Sequence, residues 1–181
     1  QNFSQVTNPP IDSLRENKVM SLKTRFGNLG NILDFDNLTE ENIYVLDSPI
    51  LTNSQFKKFR KFFSKKTKVI DCTFDISSSL KDRIEAIRVE AETSVREGST
   101  CIILSDKNIS NQKATIPSIL VVGAVHSHLV KQGLRGYCSL NVECSDALDT
   151  HSFAVLIGVG ATTPSLPVES VTEIVWPILL C

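Results

Sequence analysis

The chain has 181 residues, with 19 Lys and Arg against 20 Asp and Glu, so its net charge is −1. This length suffices for one domain whose core needs neither disulfides nor metals. A charge near zero excludes a globally basic nucleic-acid-binding protein and an acidic tail. We find no apolar run of the ~18 residues that a membrane span needs, and the N-terminus lacks a secretory-signal pattern.

We predict that residues 1–66 form an irregular and helical N-terminal arm and linker. The turn at Asn8-Pro9-Pro10 lets Asp12 cap a short helix over 13–22. Thr52 and Gln55 have the spacing of a capping box, which predicts a helix over Gln55–Phe63. One face of this helix carries phenylalanines at helical spacing, which we expect to face the core: Phe56, Phe59 and Phe63.

From residue 67 strand and helix patterns alternate. We predict strands over Lys68–Phe74, Thr100–Leu104 and Tyr137–Val142, and helices over Leu80–Glu97, Pro117–Gln132 and His151–Ile157. Such alternation implies parallel strands joined by right-handed crossovers, so the fold class is α/β. A complete eight-fold barrel takes about 250 residues. Residues 67–181 therefore predict a βα-repeat portion of a partial, TIM-barrel-like domain or open sheet, truncated at its C-terminal end.

The carboxyl ends of parallel strands are where α/β proteins bind ligands. Five polar residues follow the predicted strands there: Asp75, Ser105, Asp106, Glu143 and Ser145. The same residue types also cap helices, so a structural role is the alternative for each of them.

Cysteines and histidines give no clear metal motif. The five cysteines, with no CxxC pair, are Cys72, Cys101, Cys138, Cys144 and Cys181. An odd, dispersed set argues against a disulfide framework and favours a reducing compartment, and we expect the first three to be small buried hydrophobic residues. His126 and His128 lie about 200° apart around a helix and cannot both face one metal. A Cys144–His151 site is conceivable but has no motif behind it.

Two further patterns allow more than one interpretation. The stretch Lys57–Lys68 is basic and interleaved with phenylalanines, which permits nucleic-acid binding or an acidic partner surface. The phenylalanine spacing more simply indicates an amphipathic helix whose lysines face solvent. The sequence Gly158-Val159-Gly160-Ala161 lacks the third glycine of a dinucleotide-binding loop, because Thr163 occupies that position.

Several segments, in the same order, resemble the central domain of glutamate synthase, although none is decisive alone. They are Gln5–Asp12, Asp47–Leu51, Thr73–Asp75, Ile102–Asp106, Pro117-Ser118, Val122–Leu129, Gly133–Arg135, Val142-Glu143 and His151–Ala154. Departures from the family pattern occur at Lys107, where arginine is usual, at Ser127, where histidine is usual, and at Pro164–Pro167.

The resemblance implies an oxidoreductase of glutamate biosynthesis as the parent enzyme. A glutaminase domain hydrolyses glutamine, and ammonia passes through a tunnel to an FMN-bearing synthase domain. There 2-oxoglutarate and ammonia form an imine that is reduced to glutamate. The electrons pass through an iron–sulfur cluster from ferredoxin or from an NADPH-dependent small subunit. Apart from the resemblance, the lysine- and asparagine-rich composition is compatible with an AT-rich genome such as a plastid's or an endosymbiont's, so we expect the plastid stroma or the bacterial cytoplasm as the compartment.

The resemblance also implies that the central domain is a non-catalytic connector that helps form the tunnel. Within this segment we expect no catalytic, cofactor-binding or metal-binding residue. The candidate interdomain or tunnel positions are Asn8, Asp12, Asp75, Asp106 and Glu143. Two alternatives stay open: a stand-alone flavin- or phosphate-binding partial barrel, and a binding module that uses the basic stretch Lys57–Lys68.

Overall fold

The computed structural model of the protein describes residues 23–26 and 43–165. The predicted helix over 13–22 lies outside these residues, as do Asn8 and Asp12. Within the described part, no helix is both long enough and apolar enough to cross a membrane.

A four-stranded parallel sheet forms the centre of the fold. Its strands, in spatial order, are β3 (Thr67–Asp71), β5 (Cys101–Ser105), β7 (Ser139–Glu143) and β8 (Thr163–Ser165). Leu51 extends the sheet beyond β8, because its backbone N–H donates to the carbonyl of Pro164 at 3.3 Å. The predicted α/β class with parallel strands is confirmed, and the arrangement is that of a partial barrel-like fold.

Four helices have the predicted positions to within about three residues. They are α1 (Asn53–Phe62), α2 (Leu80–Arg96), α3 (Ser118–Lys131) and α4 (Thr150–Val159). The capping box of Thr52 and Gln55 is present. Helices α2 and α4 are capped by Ser79 and Asp149, whose side chains accept from backbone N–H groups in the first turn.

The prediction of one strand over Lys68–Phe74 is wrong. Strand β3 ends at Asp71, whose carboxylate Oδ1 accepts from the backbone N–H and the hydroxyl of Thr73 at 2.9 and 2.8 Å. This local turn starts a separate strand β4 (Thr73–Asp75), which pairs antiparallel with β6 (Lys113–Thr115). Asp75 therefore lies exposed in a side hairpin and not at the end of a parallel strand.

The two faces of the sheet are covered by different elements. Helices α2, α3 and α4 pack on one face, where the sheet contributes Ile70, Ile102, Leu104, Leu140 and Val142. Helix α1 and the antiparallel pair of β1 (Thr24–Phe26) and β2 (Tyr44–Leu46) cover the opposite face at β5. The predicted phenylalanine stripe is confirmed, since Phe56 and Phe59 are buried there and Phe63 packs against them.

The prediction of buried, unpaired cysteines is also confirmed. Cys72, Cys101 and Cys138 are buried free thiols, and so is Cys144. Cys181 lies outside the described residues.

Candidate functional site

A row of polar side chains crosses the carboxyl edge of the parallel sheet. The last residue of each parallel strand is the register partner of the last residue of the next strand in the sheet. From β3 to β8 these residues are Asp71, Ser105, Glu143 and Ser165. Register partners of parallel strands project from the same face, so these side chains form one line. Ser105, Glu143 and Ser165 are buried, whereas Asp71 is partly exposed.

Each oxygen of the Glu143 carboxylate has a partner within the chain. Its Oε2 accepts from the hydroxyl of Ser105 at 3.0 Å, and its Oε1 pairs with Nζ of Lys107 at 2.5 Å. The Glu143 side chain is only 5% exposed. A buried carboxylate is tolerated when a cation balances its charge and a hydrogen-bond donor satisfies its oxygen atoms. These contacts make Glu143 a structural anchor for the loop after β5.

Asp106 joins two loops at the same edge. Its Oδ2 accepts from the backbone N–H of Ser145 at 2.7 Å and from the Ser145 hydroxyl at 2.6 Å. Asp106 is buried beside a cavity of about 10 Å³, which Cys72, Val121 and Cys144 also line. That volume suits about one water molecule. Asp106 therefore ties the loop after β5 to the loop after β7, and the cavity beside it is too small for a substrate.

Asp71 is the carboxylate that sequence reasoning missed at this edge. Burial raises its pKa, but the hydrogen bonds from Asn108 and Thr73 outweigh that effect, so the pKa lies below its ordinary value. The amide of Asn108 donates to Oδ2 at 3.0 Å. The residue was hidden inside the apolar run that predicted one long strand.

The carboxyl edge does not fit an FMN phosphate. Two of the helix N-termini there already hold the chain's own carboxylates. The backbone N–H of Ser118 donates to Asp146 Oδ2 at 2.8 Å, and that of Ser152 donates to Asp149 Oδ1 at 2.7 Å. A phosphate at either terminus would meet a like charge instead of free N–H groups.

The cysteines do not fit an iron–sulfur cluster. Such clusters are held by thiolates that converge on the iron atoms. Burial instead raises the pKa of Cys72 and of Cys144 to about 12, which favours the neutral thiol. Over residues 23–26 and 43–165, no group of three metal-ligating side chains comes together.

The two histidines of α3 have different partners. His128 is buried and its Nε2 lies 2.6 Å from Oε2 of Glu92 on α2. His126 Nδ1 accepts from Nε of Arg135 at 3.1 Å. Burial and the nearby guanidinium lower the pKa of His126, so its ring is kept neutral.

Arg135 holds the opposite, amino edge of the sheet together. Its guanidinium donates to the carbonyls of Cys138 at 2.7 Å and Gly160 at 2.9 Å. Gly160 has φ +127, and a Cβ there would come within 2.4 Å of the His126 ring. The glycine-rich sequence spans the end of α4, and the positive φ of Gly160 and the closeness of the His126 ring explain that glycine without a phosphate loop.

An open cleft of about 980 Å³ lies at this amino edge. Four of its lining residues are cationic and four are aromatic: Arg25, Lys65, Lys66, Arg135, Phe26, Phe62, Phe63 and Tyr137. We call this feature the basic cleft. Sequence reasoning identified the lysines as part of a basic stretch, but it gave no sign that Arg25 and Arg135 join them.

Of the candidate interdomain or tunnel positions, two lie at the carboxyl edge of the sheet. Asp106 and Glu143 are there together with Ser105 and Ser145, whereas Asp75 is exposed in the side hairpin. Asn8 and Asp12 lie outside the described residues. Sequence reasoning did not single out five further residues as members of a site: Asp71, Lys107, Asn108, Ser165 and Arg135.

Comparison with known proteins gives a consistent result. The family model for the glutamate synthase central domain matches residues 1–175. The chain is 52% identical to the glutamate synthase [NADPH] large chain of Azospirillum brasilense over 96% of its own length. It is 38% identical to the chloroplastic ferredoxin-dependent glutamate synthase of Spinacia oleracea over 94%. The chain spans 12% and 11% of these relatives. It therefore belongs to the glutamate synthase central domain family.

Proposed function

We propose that this chain is the non-catalytic connecting domain of a glutamate synthase. In this proposal it lies between a glutaminase domain and an FMN-bearing synthase domain and contributes to the wall of the ammonia path between them. The parent enzyme forms L-glutamate from L-glutamine and 2-oxoglutarate. Family membership supports the proposal, and so does the small share of each relative that the chain covers.

The closed carboxyl edge is the observation that carries the proposal. This edge is the usual ligand site of parallel α/β folds. Here the carboxylates of Asp106 and Glu143 are bonded to neighbouring residues of the same domain, and the cavity beside them holds about one water. An active site needs polar groups that remain available to a substrate. This edge instead stabilises the domain.

The redox groups belong elsewhere in the parent enzyme under this proposal. The capped helix N-termini and the protonated, buried thiols do not fit FMN or an iron–sulfur cluster. Electrons reach the synthase domain from ferredoxin or from an NADPH-dependent small subunit, and relatives of both names match the chain. The free, buried cysteines are compatible with a reducing compartment such as the plastid stroma or the bacterial cytoplasm.

Conservative variants of the two buried carboxylates in the full-length enzyme test the non-catalytic role. For Asp106→Asn and Glu143→Gln we expect glutamine hydrolysis and glutamate formation to stay within about threefold of the unmodified enzyme, because neither group touches substrate. Removal of a general acid or base typically lowers the reaction rate about 10²–10⁴-fold. A loss of that size in either variant, with the fold intact and Asp75→Asn unaffected, contradicts the proposal.

The arm provides a test of the connecting role. We propose that Asn8 and Asp12 are polar groups that fix an interdomain turn through hydrogen bonds between side chain and backbone. In the full-length enzyme, Asn8→Ala should reduce the glutamate formed per glutamine hydrolysed, with the missing nitrogen released as free ammonia. Asn42→Ala is the control, because Asn42 lies outside the segment Gln5–Asp12 that resembles the family. Unchanged coupling in Asn8→Ala contradicts this role.

The flavin-binding alternative makes a different prediction. A stand-alone flavoprotein would retain FMN after incubation and gel filtration, with the visible spectrum of bound flavin. We expect the chain to retain none, because like charges occupy the helix N-termini that would receive the phosphate. Flavin retained by the unmodified chain would overturn the connecting-domain proposal.

A further inference from the structure

We propose that the basic cleft docks an acidic surface of another domain of the same polypeptide. This inference rests on the proposed function and goes beyond it, because it assigns one face of the connecting domain to a partner of stated chemistry. Three observations support it: the segregation of charge, the geometry of the cleft, and the engagement of its aromatic rings.

Charge is strongly segregated along the chain. Between Asp47 and Asp71 there are seven cations and no acidic residue: Lys57, Lys58, Arg60, Lys61, Lys65, Lys66 and Lys68. Lys68 pairs with Glu90 at 3.2 Å. The other six are exposed, and none of them forms an ion pair with a residue that the structure describes. An exposed concentration of unpaired cations attracts an acidic partner and repels basic ones.

The cleft gathers part of this charge around a fixed cation. Lys65 and Lys66 line it from one side, and Arg25 lies on β1 beside them. Arg135 lines it from the sheet edge and is held in place by its bonds to backbone carbonyls. Among the described lining residues there is no carboxylate. The cleft therefore presents positive charge from two sides of a concave surface.

The aromatic residues of the cleft favour a protein partner over a nucleic acid. Bases bind by stacking on the open faces of aromatic rings. Phe62 and Phe63 instead contact each other edge to face at 4.9 Å, and Phe62 also lies 5.1 Å from Tyr44. Phe62 is 47% exposed and Tyr137 is 69% exposed. Aromatic and arginine side chains are enriched at protein interfaces.

Another domain of the same polypeptide is the partner we infer. The chain covers 12% of its relative from Azospirillum brasilense, so the greater part of that protein is available to cover a face of this domain. A covalently linked domain is present at high effective concentration, so modest charge complementarity is enough to hold it. The contact should then weaken with salt, because exposed charge pairs are screened.

Lysine footprinting of the full-length enzyme tests the inference. We expect Lys65 and Lys66 to react with an amine-acetylating reagent about tenfold more slowly than exposed Lys81 and Lys131, because an interface excludes the reagent and holds the amines in ion pairs. About 0.5 M NaCl should remove most of this protection. Carbodiimide should join Lys65 or Lys66 to an Asp or Glu beyond residues 1–181, as located by peptide mass mapping.

Charge-reversal variants provide the matched comparison. Lys65→Glu with Lys66→Glu changes net charge as much as Lys81→Glu with Lys131→Glu, and all four side chains are exposed. We expect the first double variant to lose the carbodiimide product and to expose acidic peptides of the partner domain to hydrogen exchange. The control double variant should keep both.

Failure of the docking inference and failure of the proposed function give different experimental results. If the enzyme makes glutamate but Lys65 and Lys66 react as fast as Lys81, the docking inference is wrong and the proposed function stands. If a single-stranded oligonucleotide, and nothing else, protects these lysines with a steep dependence on salt, the cleft binds nucleic acid and the inference is overturned. If the enzyme makes no glutamate from glutamine and 2-oxoglutarate, the proposed function fails whatever the footprint shows.

Discussion

The two edges of the parallel sheet contrast in the state of their charged groups. At the carboxyl edge, Asp106 and Glu143 are buried and bonded within the domain, beside a cavity of about 10 Å³. At the amino edge, Lys65 and Lys66 are exposed and line a cleft of about 980 Å³. The carboxyl edge, where α/β proteins usually bind ligands, is closed, whereas the amino edge, which usually stabilises the fold, is open.

This contrast shows why fold alone is a weak guide to a functional site. The carboxyl edge of a parallel sheet favours ligand binding because loops and helix N-termini converge there. The same convergence allows loops to bind one another, as Asp106 and Ser145 do. Once those groups are engaged, the remaining free charge decides where a partner can bind.

The largest expected effect comes from breaking the carboxyl edge. Asp106→Ala leaves the backbone N–H and hydroxyl of Ser145 without their acceptor. We expect it to lower the free energy of unfolding by about 2–3 kcal/mol, as for other buried groups that lose a charged partner. Asp75→Ala is the control, since that carboxylate is exposed and should change stability by about 0.5 kcal/mol or less. Urea unfolding followed by circular dichroism measures both.

Equal free energies of unfolding for Asp106→Ala and Asp75→Ala would contradict the difference that we describe between the two edges. They would mean that the contacts of Asp106 are replaced by water at no cost. The buried carboxylate would then be as available to a ligand as an exposed one.

At the amino edge the corresponding test concerns the geometry of a cation. Arg135→Lys keeps the charge but cannot bond Cys138 and Gly160 at the same time, because lysine lacks the planar fork. We expect a loss of about 1–2 kcal/mol in the free energy of unfolding. Arg25→Lys is the matched control in the same cleft. If both variants unfold at the same urea concentration, the amino edge does not depend on the guanidinium.

Sequence patterns predicted the helices well because caps and stops are local signals. Thr52 with Gln55, and Asp149 alone, marked the helix starts that the structure has. Gly98 and Gly133 follow α2 and α3 with φ +96 and +68, which favours glycine at these positions.

The strands were harder, because pairing is not local. The run Lys68–Phe74 continues through Cys72 with no breaker, yet the structure divides it after Asp71. Pro164 argues against a strand, but it is tolerated in β8 because its carbonyl still accepts from Leu51. The basic cleft was hidden for the same reason: Arg135 is about seventy residues from Lys65 along the chain and joins it only through the fold.

Acid sensitivity should distinguish the carboxylate at the sheet edge from an exposed one. The pKa of Asp71 is lowered from about 3.8, so its stabilising effect is present above that pH and is lost as the pH falls through its lower value in the folded state. Asp71→Asn should therefore be less stable than the unmodified chain at pH 7, and the difference should shrink as the pH falls below about 4. Asp75→Asn is the control, and urea midpoints across this range give the measurement. A difference that does not change with pH would contradict the assignment.

The smallest effect separates two serines of the same polar row. The hydroxyl of Ser105 donates to Glu143 at 3.0 Å, whereas that of Ser165 is buried and has no hydrogen-bond partner among the described residues. Ser105→Ala should cost about 1–2 kcal/mol in the free energy of unfolding, because it removes a bond to a buried carboxylate. Ser165→Ala should be neutral or slightly stabilising, since it removes a polar group that was buried without compensation.

Both changes delete one hydroxyl from the two strands that flank β7 at the same edge. The difference between their effects on the free energy of unfolding therefore isolates the contribution of the hydrogen bond to Glu143. A cost of about 1 kcal/mol or more for Ser165→Ala would mean that its hydroxyl is satisfied by a water or by a residue beyond the described part. The row would then extend past β8 and be open to a further partner. Only the part of the carboxyl edge up to Glu143 would then have all its polar groups bonded within the described residues.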